Sequence, residues 1–401
     1  MTVNIHSFSI QIQYGSRSLA AAQIPPRGDL KRRSRSRPAL PDWECSPSCA
    51  GGRLELPPGR GRSAPRGGLA QVIMARMEKI KAAVVGVGYL GRFHAQKYAE
   101  STRCRLEAVV DARAEARERV AAEVGARALA DHRELLGKVD AVSVVTPTPA
   151  HFAIARDFLL AGAHVLVEKP ITETPREARE LIELAERRGL ILQVGHLERF
   201  NSAILAAEPY LRSPRFVECH RLAPYKERGT DVNVVLDLMI HDIDLVQTIV
   251  GAPVSSIDAV GTPVFSDAID IANARIRFAN GCVVNATASR VSLKTERKMR
   301  LFEDDAYLSL DLQQKIITLI RKREAADGAG ALPVIIEEQS LEQGDALKAE
   351  IDAFLESIRT GKPPVVSGED GLMALATAMR ITEQVNESLA ARQLMRGRSH
   401  G

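Results

Sequence analysis

Two short motifs could supply proton-transfer chemistry in this chain of 401 residues. Glu168-Lys169-Pro170 follows the apolar run 165–167, so Lys169 stands at the end of a predicted buried strand. Asp237 and His241 stand at positions i and i+4 of a predicted helix, which places them on one face. An imidazole with a pKa near 6.5 suits the acceptance of an alcohol proton, and a neighbouring carboxylate can orient it. An ammonium beside the same oxygen would stabilise a developing alkoxide.

Each of these residues also has a purely structural interpretation. Lys169 could be an exposed lysine that ends a strand, and His241 could be a packing histidine on a helix. Asp237, His241 and Asp244 could form a metal site, but no second histidine lies close in the sequence. We therefore predict that the site contains no metal.

A glycine-rich turn at 86–91 indicates a dinucleotide site, with the residues Gly86, Val87, Gly88, Tyr89, Leu90 and Gly91. It follows a predicted strand and opens a predicted helix, whose N-terminus attracts phosphate. Asp111 ends the next strand, where it can accept hydrogen bonds from ribose hydroxyls and repel a 2′-phosphate. The sequence therefore favours NAD, and NADP less, although Arg113 could reach a 2′-phosphate.

Further polar residues follow the later strands. Thr146 and Pro147 end a strand on the side of the sheet where ligands bind in such folds, and His151 begins the next helix. His151 is open to a packing role or to ligand contact. A cationic cluster suggests an anionic substrate or a solvated surface; its members and polar neighbours are Arg199, Asn201, Arg221, Tyr225 and Lys226.

The predicted order of strands and helices that position these residues changes near residue 195. Apolar strands alternate with amphipathic helices over residues 78–195, a pattern typical of a doubly wound parallel sheet. Successive strands with short turns follow between residues 216 and 320, and Asn280-Gly281 predicts a hairpin. We predict an α/β protein with a Rossmann domain at 77–195. A second α/β domain at 196–395 should hold an open, mainly antiparallel sheet.

Residues 1–76 do not have the composition of a folded domain. They hold 12 Lys and Arg and 4 Asp and Glu, a net charge of +8, which leaves −4 for the rest of the chain. Such a segment buries too little apolar surface to fold, so we expect a disordered basic leader. A start codon assigned upstream of Met74 or Met77, a targeting peptide or a nucleic-acid arm would each account for it.

Composition excludes several functional classes for the remainder. The mildly acidic body and the 4% aromatic content argue against nucleic-acid binding. No run approaches the ~18 apolar residues of a membrane span. The 5 cysteines show no disulfide or metal spacing, so we expect a cytoplasmic protein.

Taken in order, the glycine turn with Asp111, Thr146-Pro147 with His151, Glu168-Lys169-Pro170 and the Asp237/His241/Asp244 helix resemble the Gfo/Idh/MocA oxidoreductase family. The resemblance covers about residues 79–390. It implies NAD(P)-dependent oxidation of a CH–OH group in a sugar, polyol or nucleotide sugar. It also implies that Lys169 and His241 are catalytic, that Asp237 is the partner of His241, and that the protein is a homodimer or homotetramer.

Two segments narrow the expected substrate. Residues 195–201 and 231–245 are similar to members that oxidise C3 of UDP-N-acetylglucosamine on the route to a diamino sugar of lipid A. The chain has Val234-Val235 and Met239 where the family usually has glycines, which bears on the shape of the sugar pocket. The alternatives are another substrate, such as inositol, and a non-catalytic regulator that senses a dinucleotide.

Overall fold

The computed structural model describes residues 79–226, 232–323 and 334–398. The predicted leader at 1–76, including Cys45 and Cys49, lies outside the described residues, so its expected disorder stays a prediction.

The first half forms a six-stranded sheet in the order β3-β2-β1-β4-β5-β6, with every neighbouring pair parallel. This order is that of a Rossmann fold and confirms the predicted fold class. The elements are β1 (Ile80–Val85), α1 (Tyr89–Glu100), β2 (Cys104–Val110), α2 (Ala114–Val124), β3 (Arg127–Leu129), β4 (Ala141–Val144), α3 (His151–Leu160), β5 (His164–Glu168), α4 (Pro175–Arg188) and β6 (Leu192–Gly195).

Local sequence fixes the ends of these helices, as α4 illustrates. Thr174 and Glu177 form a capping box, in which each side chain accepts the backbone N–H of the other. Pro175 occupies the first turn, where its missing N–H costs nothing. Gly189 ends the helix in the left-handed conformation, with φ of 63°.

The second half forms an eight-stranded sheet in the order β14-β13-β12-β11-β7-β10-β9-β8. Its pairs are antiparallel except β7 with β10, which confirms a mainly antiparallel sheet. The elements are α5 (Ser202–Ala207), β7 (Phe216–Leu222), a π-helical turn (Val235–Met239), α6 (Ile240–Val250), β8 (Val254–Thr262), β9 (Ile271–Phe278), β10 (Val283–Ser289), β11 (Glu296–Phe302), β12 (Ala306–Asp311), β13 (Ile316–Lys322), β14 (Val334–Ser340), α7 (Ala346–Thr360) and α8 (Gly368–Arg398).

The structure differs from the sequence prediction at two elements of this half. β14 was not predicted; it lies at the edge of the sheet with mostly exposed side chains, so its sequence lacks a strong apolar alternation. The predicted helix that carries Asp237 and His241 begins as a π-helical turn before it becomes α6. The hairpin at Asn280-Gly281 is confirmed, with Gly281 at φ of 87° between β9 and β10.

The apolar cores place α7 in the first half of the molecule. One core lies between the second sheet and the helices α6 and α8. Two more cores cover the faces of the first sheet, and α7 contributes to one of them with Leu347, Ile351, Phe354 and Leu355. The chain therefore returns from the second sheet to complete the first. Within the described ranges, none of the helices combines the length and apolarity that crossing a membrane requires.

The packing of α7 gives a direct prediction. Phe354 is fully buried against the first sheet, so Phe354→Ala should lower the free energy of unfolding by about 3–5 kcal/mol. Urea denaturation followed by circular dichroism measures this loss. Arg359→Ala, at an exposed position of the same helix, should change it little; equal effects of the two substitutions would contradict the packing.

Candidate active site

The glycine turn between β1 and α1 packs closely at two of its three glycines. Gly86 has a φ of 87°, and a Cβ there would lie 2.5 Å from the carbonyl oxygen of Val145. A Cβ at Gly91 would lie 1.8 Å from the carbonyl oxygen of Gly86. Only glycine fits both positions, because any side chain would force the turn away from β4 and α1.

Gly88 differs from its two neighbours because it faces open space. The nearest atom to a Cβ built there is a guanidinium nitrogen of Arg113, at 3.7 Å. Gly88 is also the N-cap of α1, and no side chain caps this helix end. An uncapped helix N-terminus under an open glycine is the arrangement that receives a pyrophosphate.

Asp111 lies beside this turn at the end of β2. Its carboxylate accepts the N–H of Val87 at 3.0 Å and the N–H of Arg113 at 2.9 Å. Burial acts to raise the pKa of Asp111, but these hydrogen bonds and the Arg113 guanidinium outweigh burial and lower the pKa. Asp111 is therefore ionised, and Arg113 offsets part of its charge.

A cavity of about 950 Å³ joins these residues. It extends from the glycine turn past Asp111 to the end of β4, and its wall includes the predicted cofactor residues Gly86, Gly88, Tyr89, Leu90, Asp111, Thr146 and Pro147. The Oγ1 of Thr146 is buried without a hydrogen-bond partner. The size and lining fit a dinucleotide, and an unpartnered hydroxyl offers a group for it to bind.

His151 is buried and holds two loops together. Its Nδ1 lies 2.9 Å from the carbonyl oxygen of Pro170, and its Nε2 lies 2.8 Å from that of Thr146. Burial lowers the pKa of His151 despite these carbonyl groups. Of the two roles left open by the sequence, the contacts match the structural one, because both ring nitrogens already have protein partners.

Lys169, at the end of β5, reaches across to the second half of the molecule. Its Nζ donates a hydrogen bond to the backbone oxygen of Asp237 at 2.8 Å and lies 3.5 Å from Asp237 Oδ1. The peptide bond between Lys169 and Pro170 is cis. The ammonium thus lies against the π-helical turn that leads directly into the helix carrying His241.

His241 lies in the first turn of α6, partly buried among cations. Its Nδ1 is buried with no hydrogen-bond partner. Burial, followed by the charges of Lys169 and Arg221, holds the pKa of His241 well below its ordinary value. The imidazole is therefore neutral at physiological pH and free to accept a proton.

The predicted pairing of Asp237 with His241 is not what the structure shows, since Asp237 contacts Lys169 instead. The reason is the π-helical turn, in which the N–H of Ile240 bonds to the carbonyl of Val235, an i to i+5 pattern. A π-helical turn holds more residues than an α-helical one, so the i, i+4 rule no longer aligns the two side chains. Such turns are frequent at functional sites.

Three of the predicted substrate-binding residues are already engaged within the protein. Arg199 forms a bidentate pair with Asp244, both bonds at 2.7 Å. Arg221 is buried between Glu198 at 2.9 Å and Asp242 at 2.7 Å. Asn201 donates to Glu198 and caps α5. Binding of substrate by these side chains would require the replacement of these contacts.

Three other polar side chains of the second half are at least partly accessible. Tyr225 is partly exposed and stacks edge-on with Phe265, at a centroid distance of 5.3 Å. Arg297 on β11 has a side chain that is 45% exposed, and its charge contributes to the lowered pKa of His241. Lys315 follows β12 and is half-buried. Burial lowers the pKa of Lys315, and the nearby charge of Arg297 lowers it further.

From the sequence, neither His196 nor Glu350 was predicted as a site residue. His196 follows β6 directly, so the rule that ligands bind at the carboxyl ends of strands could have found it. Both of its ring nitrogens are buried without partners, and burial lowers its pKa. Glu350 lies on the apolar, buried face of α7, where an ionised side chain is unfavourable. With His94 and Glu168 it forms the one group of described residues whose metal-ligand-type atoms all lie within 4.8 Å of one another.

Comparison with known proteins places this arrangement in a family. Residues 80–196 match the model of the NAD-binding Rossmann fold of the Gfo/Idh/MocA oxidoreductases, and residues 221–390 match that of their C-terminal alpha/beta domain. The chain belongs to the Gfo/Idh/MocA family of oxidoreductases.

Individual members of the family differ in how similar they are to this chain. UDP-N-acetylglucosamine 3-dehydrogenase from Acidithiobacillus ferrooxidans is 41% identical over 322 residues, which cover 78% of this chain and 99% of that protein. A solved structure of that protein covers 77% of this chain and 98% of its own, with a TM-score of 0.73. Myo-inositol 2-dehydrogenase from Thermotoga maritima is 24% identical over 76% of this chain and 96% of its own length. Levoglucosan dehydrogenase in complex with NADH, 18% identical with a TM-score of 0.69 over 77% of this chain and 98% of its own, shares the fold.

The glycine turn yields a paired prediction. Gly88→Ala should weaken NAD binding by about tenfold or more without changing the melting temperature of the free protein, because the new methyl group occupies open space. Gly91→Ala should instead destabilise the fold by about 1–3 kcal/mol, because its Cβ meets backbone. Titration calorimetry and thermal denaturation separate the effects; unchanged NAD affinity in Gly88→Ala would contradict the placement of the pyrophosphate.

The buried imidazoles predict the effect of acid. Burial lowers the pKa of His151, His196 and His241 from the ordinary 6.5. Below about pH 6.5 these histidines bind protons in the unfolded chain but not in the folded protein. The free energy of unfolding should therefore fall as the pH drops from about 6.5 towards 5. Each imidazole contributes up to about 1.4 kcal/mol per pH unit until its folded pKa is reached. Melting temperatures across this range test this, and His196→Gln should shrink the drop; a rise in acid would contradict it.

Proposed function

We propose that this protein oxidises the C3 hydroxyl of UDP-N-acetylglucosamine to a ketone with NAD as the acceptor. The observation that carries the substrate is the 41% identity, over 99% of its length, to an enzyme named for this reaction. The inositol dehydrogenase is much less similar, at 24%. The 3-keto product would feed synthesis of the diamino sugar of lipid A, a destination that rests on the family resemblance alone.

The cofactor proposal rests on the wall of the large cavity. Gly88 leaves room for a pyrophosphate at the start of α1, Gly86 and Gly91 allow the close packing of the turn, and Asp111 offers a carboxylate to ribose hydroxyls. NAD supplies the acceptor for the two electrons and the hydrogen that leave the carbinol carbon. Arg113 reduces the negative charge at Asp111, but the carboxylate still opposes a 2′-phosphate, so we propose NAD as the preferred cofactor over NADP.

We assign His241 and Lys169 different roles towards the substrate hydroxyl. His241 is neutral, and we assign its Nε2, the nitrogen not buried, as the acceptor of the hydroxyl proton. Lys169 holds the oxygen and limits its negative charge. Asp237 contacts the ammonium of Lys169 through its backbone oxygen and its carboxylate, so its role is to aim Lys169 rather than His241.

The charges around His241 support an anionic substrate. Burial is the main cause of its lowered pKa, and the charges of Lys169, Arg221 and Arg297 lower it further. Arg297 pairs with Glu198 at 3.5 Å while much of its side chain is exposed. A diphosphate that reached the exposed part of Arg297 would gain from this charge, whereas a neutral polyol would not.

A substrate panel tests the proposed function. NADH formation should be fastest with UDP-N-acetylglucosamine, and much slower with UDP-glucose, free N-acetylglucosamine and myo-inositol, each offered with NAD and with NADP. Faster turnover of inositol would replace the proposed substrate. Tight NAD binding without turnover of any compound would favour a dinucleotide sensor. Light scattering on the same samples would check the predicted homodimer or homotetramer.

Substitution of the two proposed catalytic residues tests the mechanism. His241→Ala should lower kcat by about 10²–10⁴-fold because the proton acceptor is lost. Lys169→Ala should lower kcat by about 10²–10³-fold because the alkoxide loses its donor. Both should keep NAD affinity, measured by calorimetry. Turnover at the wild-type rate in either variant would remove that residue from the mechanism.

A further inference from the structure

Glu350 is a buried acid without a hydrogen-bond donor. It lies on α7 among Leu347, Ile351 and Phe354, and none of its surface is exposed. Neither carboxylate oxygen accepts a hydrogen bond. An ionised carboxylate in such surroundings would be strongly destabilised, so the residue must be neutral or must share its charge with a ligand.

The neighbours of Glu350 come from three elements of the first sheet and its helices. Glu168 on β5 and His94 on α1 have their polar atoms within 4.8 Å of those of Glu350 and of each other. Gln193 on β6 donates its amide to the backbone oxygen of Glu350 at 3.2 Å. Tyr98 on α1 bonds at 2.9 Å to Ser143, which lies 3.3 Å from His94. The titratable groups that face Glu350 are thus Glu168, His94 and Tyr98.

Glu168 is held on two sides and is closely packed. His94 Nε2 lies 3.2 Å from its Oε1, and the N–H of Lys169 donates to its Oε2 at 3.2 Å. Its carboxylate lies against Gly195, where a Cβ would come within 2.8 Å of it. This carboxylate therefore sets the position of the backbone at Lys169.

The two carboxyl groups have opposite surroundings. Burial and the nearby Glu168 raise the pKa of Glu350 well above its ordinary value. Burial also acts to raise the pKa of Glu168, but the contact with His94 and the charge of Lys169 outweigh burial and lower it. Two such close, buried carboxyl groups cannot both be ionised, so one proton belongs on Glu350.

We propose that Glu350 is a positioning residue that keeps its proton and donates a hydrogen bond to Glu168, thereby fixing the loop that presents Lys169. No charge or bond changes during turnover; Glu350 acts only through Glu168. The consequence for catalysis rests on the proposed function, which assigns Lys169 to the alcohol. A divalent cation held by His94, Glu168 and Glu350 is the competing occupant, and the test distinguishes it.

The first measurement is independent of activity. The infrared spectrum of the full-length protein should contain the C=O stretch of a protonated carboxylic acid, and Glu350→Gln should remove it. Glu356, which lies further along α7 and is partly exposed, provides the matched control, and Glu356→Gln should leave the band in place. Absence of the band from the wild type would overturn the proposal. So would a stoichiometric metal in the purified protein that Glu350→Gln removes.

The second measurement uses the sugar-nucleotide assay. Glu350→Gln should keep kcat within about threefold, because a neutral amide can also donate to Glu168. Glu350→Ala should lower kcat by about tenfold, with NAD affinity and the KM for sugar nucleotide little changed, because Glu168 loses its donor. Equal kcat in Glu350→Ala and the wild type would overturn the positioning role.

These two readouts separate the inference from the proposed function. If the wild type oxidises no sugar nucleotide, the proposed function fails, while the infrared band still decides the protonation of Glu350. If the wild type is active and the band is absent, the inference fails alone. Thermal denaturation of Glu350→Ala shows whether a loss of kcat comes from unfolding, in which case Glu350→Gln decides the outcome.

Discussion

The contact between the ammonium of Lys169 and the backbone oxygen of Asp237 connects the two halves of the site. Lys169 directly follows β5 of the parallel sheet, whereas Asp237 precedes the helix that carries His241. At 2.8 Å this charged hydrogen bond leaves the lysine little freedom. Because the carbonyl belongs to a π-helical turn, the unusual local backbone of the second domain determines where the functional group of the first domain points.

The electrostatics of the site follow from burial more than from direct pairing. His196 and His241 have unpartnered ring nitrogens, and burial is the main cause of their low pKa values, to which nearby cations also contribute. The anionic side chains nearby are bound to buried arginines: Asp244 to Arg199 and Asp242 to Arg221. Asp244 and Glu168 act to raise the pKa of His196, but burial and the charges of Arg199 and Lys169 outweigh them, so the site remains suited to a neutral base.

The sequence predicted most of what depends on short-range pattern. Alternating strands and helices, the glycine turn and the Asn280-Gly281 hairpin all follow from local residue types and spacing, and the structure contains each of them. The π-helical turn was missed because the same residues also fit an α-helical pattern, and in the structure Asp237 contacts Lys169 rather than His241, the partner that the resemblance implied. The pairs of Arg199 and Arg221 link residues far apart in the chain, so their charges were visible but their partners were not.

The return of α7 to the first sheet has a consequence for synthesis of the protein. The ribosome releases the strands of the dinucleotide-binding sheet first, yet Leu347, Ile351, Phe354 and Leu355 complete the apolar layer on one of its faces. Until those residues emerge, that face stays open to water, and so it is a natural place for a chaperone to bind. The first sheet of this enzyme can therefore complete its apolar core only when nearly the whole polypeptide has left the exit tunnel.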